Sequence, residues 1–247
     1  MNEYVNRAYR LLHRQDDLVF FQLLVKETDL DIGIPRARLN QELFDGARQA
    51  VMAVRSQLEQ YILKDENFRR ALEPRTPQPG APAIVLSMAM AGQAAGTGPM
   101  AAVAGAIAQH IGEYLARRTR EVIVENGGDI FMRTERVRRI GIFAGPSTFT
   151  NRLALEIEPH RTPLGICTSS GTVGHSLSLG CADAMVVLAP SAALADAVAT
   201  AAGNLVHNES DLQSAVDFAL GVKSVTGALA IKNDKLAAAG NIKLAPM

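Results

Sequence analysis

Val122-Ile123-Val124-Glu125-Asn126-Gly127-Gly128-Asp129-Ile130-Phe131-Met132 is the stretch that decides the fold. Two short apolar runs flank an Asn-Gly step, the preferred centre of a two-residue type I′ hairpin turn, where both central residues need positive φ. The pair is then antiparallel. The turn also has a chemical use: its glycines let a ligand approach the backbone, and Asp129 leaves it with a carboxylate placed to accept from a hydroxyl or an amine.

Outward from this hairpin, short strands are expected at 140–143, 153–157, 185–188, 225–231 and 242–244. A first hairpin is expected from runs 8–12 and 18–25, joined by the polar turn 13–17. From about Pro35 the period changes. Phe44, Ala47, Val51, Val54, Leu58 and Tyr61 recur at helical spacing, which predicts a long amphipathic helix, followed by a shorter one around 68–72. Pro74, Pro77, Pro79 and Pro82 with Gly80 make a stiff connector. The expected organisation is therefore an N-terminal hairpin and helix (1–73), a connector (74–82) and a core (83–247), together one compact domain. Within the core, an Ala-, Gly- and Met-rich run breaks at Gly96-Thr97-Gly98-Pro99, and a helix is expected from Pro99 to about Arg118. Its tail of Arg117, Arg118 and Arg120 suits the negative end of the helix dipole. An alanine-rich helix after Pro190 and another over 212–219 complete the pattern. Many short strands with paired helices, few in βαβ alternation, give α+β with largely antiparallel sheets. A loose doubling is visible without a sequence repeat.

Composition limits the function. The chain has 247 residues, with 25 basic and 25 acidic side chains and no Trp. That balance argues against nucleic acid as a partner, and the tightest basic cluster, Arg133 to Arg139, contains Glu135. The N-terminus shows neither an apolar leader nor a lipid-acceptor cysteine, and no apolar run matches a membrane span, so a soluble cytoplasmic protein is expected. Cys167 and Cys181 are too few for a metal knuckle or a disulfide framework, and burial is the usual fate of such cysteines.

Three constellations carry chemistry. In Pro190-Ser191-Ala192-Ala193-Leu194-Ala195-Asp196-Ala197-Val198-Ala199-Thr200-Ala201, Asp196 and Thr200 stand at i, i+4 and offer oxygen ligands to a hard cation. Asn204 and His207 extend the same stripe, which also reads as a solvated face, although such faces normally carry Lys and Glu. Gly96-Thr97-Gly98-Pro99 partly fits a dinucleotide fingerprint, with Glu125 as the ribose acid. Yet residues 87–95 separate these glycines from the apolar run 84–86, and helix packing explains them as well. The helix N-terminus at Gly98 to Met100 still offers N–H groups to an anion. The third is Cys167-Thr168-Ser169-Ser170-Gly171-Thr172-Val173-Gly174-His175-Ser176, whose hydroxyls and N–H groups suit phosphate but are also ordinary turn chemistry. His175 is the histidine placed for acid-base work, and Cys167 with His175 is a nucleophile and base on paper. No Gly-x-Ser-x-Gly elbow is present.

Taken in order, Gly105-Ala106-Ile107-Ala108, Glu125-Asn126-Gly127-Gly128-Asp129-Ile130, Thr168-Ser169-Ser170, His175, Ala189-Pro190-Ser191 and the run Ala195 to Ala201 resemble the ApbE superfamily of FAD:protein FMN transferases. The similarity covers about residues 80–205. It looks closest to a cytoplasmic branch sharing the run Gly98 to Gly105. The resemblance implies an α+β duplication of strand-helix-helix-strand units related to T-folds. It further implies Mg²⁺ held by Asp196, Thr200 and a backbone carbonyl near Gly105, bridging to the pyrophosphate of FAD. The pocket would be lined by Gly98, Asn126, Gly127, Gly128, Thr168, Ser169, Ser170 and Gly171, with Asp129 and His175 as catalytic groups. Two departures stand out: Gln109 replaces a family lysine, and no Asp-Pro-Arg-Thr-Gly segment follows His175. The function expected is a metal-assisted transferase or hydrolase acting on a phosphate-containing nucleotide such as FAD, with a protein acceptor and a homo-oligomer left open. A non-catalytic flavin-binding or structural module is one alternative, and a Rossmann-type oxidoreductase on a parallel sheet before Gly96 is another.

Overall fold

The computed structural model describes residues 8–173 and 178–247. Eleven strands and six α-helices alternate irregularly along it. Strands β1 (Leu18–Val25), β2 (Thr28–Pro35), β3 (Val122–Asn126), β4 (Asp129–Arg133), β7 (Leu164–Ser169), β8 (Ala184–Ala189), β9 (Gly227–Lys232) and β10 (Lys235–Gly240) form one sheet in the order β1-β2-β3-β4-β7-β8-β9-β10. Every pairing in it is antiparallel. A smaller sheet joins β5 (Arg138–Gly141), β6 (Leu153–Ile157) and β11 (Leu244–Pro246).

The central strands are apolar on both faces because both are covered. Val122 and Val124 of β3, Phe131 of β4, Met185 and Val187 of β8 and Ala228 and Ala230 of β9 face the helices. Their alternating neighbours Ile123, Ile130, Val186, Leu188, Leu229 and Ile231 join Ile140, Leu155 and Ile157 of the small sheet in a second core. The helical layer contains α1 (Gln41–Lys64), α3 (Ala83–Ala95), α4 (Val103–Ala116), α5 (Ala192–Asn204) and α6 (Leu212–Gly221), with the short α2 (Glu66–Arg70) following α1. Asn40 caps α1 by accepting from the Leu43 N–H at 2.8 Å, and the buried stripe runs Leu43, Ala47, Val51, Val54, Leu58 and Tyr61. Gly96 closes α3 in the left-handed conformation, as a C-cap requires.

Two expectations need correction. The first hairpin pairs β1 with β2, turning at Lys26 and Glu27, while 8–13 forms a 3-10 helix. Leu30, Ile32 and Ile34 of β2 face the helices, and the intervening Asp29 and Asp31 are buried on the other face. Both find partners distant in sequence: Arg10 pairs with Asp29 at 3.1 Å, and His13 Nε2 lies in hydrogen-bond contact with Asp31 at 3.2 Å. The oxidoreductase alternative also falls. Gly96 to Pro99 joins two helices, and no parallel strand precedes it among the described residues.

Candidate functional site

The β3–β4 hairpin turns on Gly127 and Gly128, with φ of +67° and +104°, one residue later than an Asn-Gly centre would place it. Asn126 and Asp129 therefore form the last rung of the ladder. Alternation then splits the motif between the two faces. Glu125 lies on the small-sheet side, where its Oε2 accepts from Arg10 Nε at 2.7 Å and its Oε1 from the Gly128 N–H at 2.8 Å. Asn126 and Asp129 face the helices. A Cβ on Gly128 would meet nothing closer than the Thr168 carbonyl at 3.6 Å, so the cost of Gly128→Ala is conformational. We expect it to lower stability by about 1–2 kcal/mol in urea unfolding, without a change in m-value.

On the helical side α4 and α5 cap each other. Asp196 of α5 accepts from the Gly105 N–H of α4 at 2.8 Å. Reciprocally, Gln109 Oε1 accepts from the Ser191 hydroxyl at 2.9 Å and the Ala193 N–H at 3.4 Å at the start of α5. A lysine at 109 has no acceptor for these donors, which gives the glutamine a structural reason. The helices touch through small residues, and a Cβ on Gly105 would overlap the Ala192 carbonyl and lie 2.8 Å from Asp196 Cβ. Asn126 Nδ2 donates to the Ala104 carbonyl at 3.0 Å, tying the hairpin to the same first turn of α4.

Asp129, Asp196 and Cys167 thus converge on the N-terminal end of α4. Burial, and then the neighbouring Asp196 carboxylate, hold Asp129 well above the usual carboxylate range. Asp196 is pushed up to about 7 by desolvation, against the backbone N–H groups of Gly105 and Ala104. Among the described residues no salt bridge reaches either carboxylate. Burial and the two carboxylates push the Cys167 thiol well up, and its Sγ donates to the Ala192 carbonyl at 3.3 Å. A thiol held protonated in this way is not the nucleophile that pairing with His175 envisaged.

The remaining sequence candidates divide. Thr168 and Ser169 end strand β7 instead of lying in a loop, and the Thr168 N–H supports the Asp129 carboxylate. Ser170 Oγ closes its own turn by accepting from Thr172 N–H at 3.1 Å and Val173 N–H at 3.0 Å, while the Gly171 N–H donates to the Ala182 carbonyl at 2.9 Å. Gly98 gives its N–H to the Leu72 carbonyl at 2.8 Å, so that amide is not open to an anion. Thr200 is half-buried one turn beyond Asp196, and no hydrogen bond of its hydroxyl is formed with described residues. Asn204, a turn further, accepts from the Leu179 N–H at 2.8 Å and pins the far side of the polar loop to α5. His175 lies outside the described residues. Sequence reasoning missed Arg10 and Gln109 as site supports, because each acts across a large sequence separation.

The donors available to a metal are hard oxygens: the spare valence of Asp196, the Thr200 hydroxyl and Asp129. No group of three or more His, Cys, Asp or Glu gathers for a metal among the described residues. The set therefore suits Mg²⁺ or Ca²⁺, completed by ligand oxygens or water, and not a soft transition metal. No helix among the described residues is long and apolar enough to cross a membrane.

A family model described as AbpE bacteria matches residues 10–240. The UPF0280 protein of Methanocella arvoryzae is 42% identical over 193 residues, covering 78% of each chain. The UPF0280 protein of Methanosarcina barkeri is 39% identical over 224 residues, 90% of this chain and 86% of its own. Among solved structures, the apo form of the Pseudomonas stutzeri flavinyl transferase ApbE aligns with a TM-score of 0.58 at 14% identity, covering 92% of this chain and 95% of that one. The apbe protein of Thermotoga maritima aligns with a TM-score of 0.52 at 12% identity, covering 90% and 96%. These last two are likenesses of fold.

Proposed function

This chain belongs to the AbpE bacteria family, an ApbE-like family, and from that premise we propose that it binds FAD with Mg²⁺ and cleaves the pyrophosphate, passing FMN to an acceptor hydroxyl or to water. The observation that carries the reading is the pair Asp129 and Asp196, two carboxylates held above their usual range with no salt bridge to a basic side chain among the described residues. A cation is the charge this pocket is short of. Asp196 and Thr200 would hold it, with the Gly105 N–H fixing the orientation of the carboxylate. Bound there, Mg²⁺ supplies neutralisation of the pyrophosphate.

The chain's own groups do the rest. Gly127 and Gly128 leave the hairpin tip without side chains, so a flat or phosphorylated ligand can lie against the backbone. Asp129, held above the usual carboxylate range by burial and the neighbouring Asp196, would take the proton of the attacking hydroxyl or water once ionised. Attack at the FMN phosphorus breaks the bond to the bridging oxygen, and AMP leaves. Gln109 carries no charge to stabilise that leaving phosphate and is engaged at the start of α5, so turnover should be slow.

Incubation with FAD, Mg²⁺ and an acceptor domain tests this. Saturable FAD binding, slow AMP release and weak fluorescent labelling of the acceptor on a denaturing gel are expected. Absence of FAD binding with or without Mg²⁺ would sink the proposal and favour a structural module on the same scaffold.

A further inference from the structure

At the far end of α4 from Asp196 a cavity of about 410 Å³ opens between the ends of β2, α4 and β4. From Gly105 to Arg117 the helix rises roughly 18 Å, and β3 runs the same way, so the two places are separate. Its cations are all arginines: Arg38, Arg117, Arg118, Arg120 and Arg133.

The two acids of the lining are already engaged, one of them with a single arginine of the wall. Glu121 accepts from Arg138 at 2.7 Å, Thr134 at 2.8 Å and the Glu135 N–H at 2.9 Å, and Glu135 pairs with Arg120 at 3.1 Å. Four guanidinium groups are left without a carboxylate among the described residues. Two of these are already oriented. Arg118 stacks on Tyr114 with its guanidinium carbon 4.0 Å from the ring centre and donates to the Tyr114 carbonyl at 3.0 Å. Arg133 donates to the Ala116 carbonyl at 3.0 Å, offsetting the negative end of the helix. Arg38 and Arg117 are exposed with no ion pair to described residues.

Such a concentration is unexpected in a chain of 25 basic and 25 acidic residues. Like charges gathered in a concave wall repel one another unless an anion completes them. We propose that this cavity binds a small phosphate-bearing anion, recognised by its phosphate oxygens through planar guanidinium forks. Arginine, and not lysine, is the residue matched to that geometry. The volume falls in the range of small-ligand sites, and no aromatic residue lines its walls to stack on a base. An extended polyanion would instead call for an open basic stripe.

Inorganic pyrophosphate, titrated calorimetrically into the full chain without divalent cation, is the probe. One-site binding is expected. Arg38→Ala, Arg117→Ala and Arg118→Ala combined should weaken it at least tenfold, with far-UV circular dichroism unchanged. The exposed single substitution Arg117→Ala should weaken it several-fold and serves if the triple variant misfolds. Replacing the same three arginines by lysine should also weaken binding, because charge without the fork is not enough. No saturable binding, full affinity in the lysine variant, or loss of binding in Asp196→Asn with retention in the alanine triple variant would each overturn the proposal. So would a single-stranded oligonucleotide displacing pyrophosphate with higher affinity, which would indicate a polymer surface.

Discussion

Replacing Arg10 with alanine is expected to cost about 3–5 kcal/mol of stability, the largest effect of any single side chain outside the apolar core. Arg10 is buried, its Nε 2.7 Å from Glu125 Oε2, its Nη1 3.1 Å from Asp29 Oδ1 and its Nη2 2.6 Å from the Asp29 carbonyl. Removing it withdraws one cation from two buried carboxylates at once. Neither acid can recover its hydration without opening the sheet, and neutral donors such as Gln22 at 2.7 Å on Asp29 and the Gly128 N–H on Glu125 do not replace a full charge. Arg10→Lys should restore little, because one ammonium cannot span the three acceptors that the fork reaches. The same substitution should weaken FAD binding, since Glu125 holds the hairpin tip through Gly128. Urea unfolding and FAD titration together check both, and a stability loss under 1 kcal/mol would show that the guanidinium is not what keeps these acids buried.

Arg10 also marks where the sequence stops being legible. The antiparallel β3–β4 hairpin, the helical spacing of α1 and the Ser191-capped α5 are all local patterns, and each forms as its pattern implies, the hairpin turning one residue later than its Asn-Gly step. Strand β2 alternates just as regularly, but its hidden face carries Asp29 and Asp31, and such acids read as a loop until a partner is known. That partner lies 19 residues before Asp29 and 115 before Glu125. The strand character of Thr168 and Ser169 was hidden for a related reason: small hydroxyl residues suit turns, and only pairing with β8 makes them a strand. For the site, the motif Glu125 to Asp129 pointed to the right hairpin. Its two acids were not distinguishable until the ladder sent one to each face. Likewise Gln109 looked like a lost lysine, whereas its amide oxygen accepts from the Ser191 hydroxyl and the Ala193 N–H at the start of α5.

Asp196→Asn should lower Mg²⁺ affinity at least tenfold, about 1.4 kcal/mol, while leaving the cation-free fold as stable as the wild type or more so near neutral pH. The two expectations have one origin. Desolvation pushes Asp196 up from an ordinary 3.8 to about 7 in the folded chain, so the folded state holds the proton more tightly than the unfolded one. Stability from this group is therefore lost as pH rises from about 4 through 7, and an asparagine has no such loss to suffer. Its amide oxygen still accepts from the Gly105 N–H, so the cap on α4 survives. What asparagine cannot supply is the negative charge that draws in the cation. A thermal-shift series with and without Mg²⁺ separates the terms: wild type should gain more from Mg²⁺ at pH 8 than at pH 6, where protons compete for the carboxylate, and Asp196→Asn should gain little at either. Equal Mg²⁺ stabilisation of both proteins at pH 8 would mean that the cation, if bound, is held elsewhere, and that Asp196 serves only as the cap between α5 and α4.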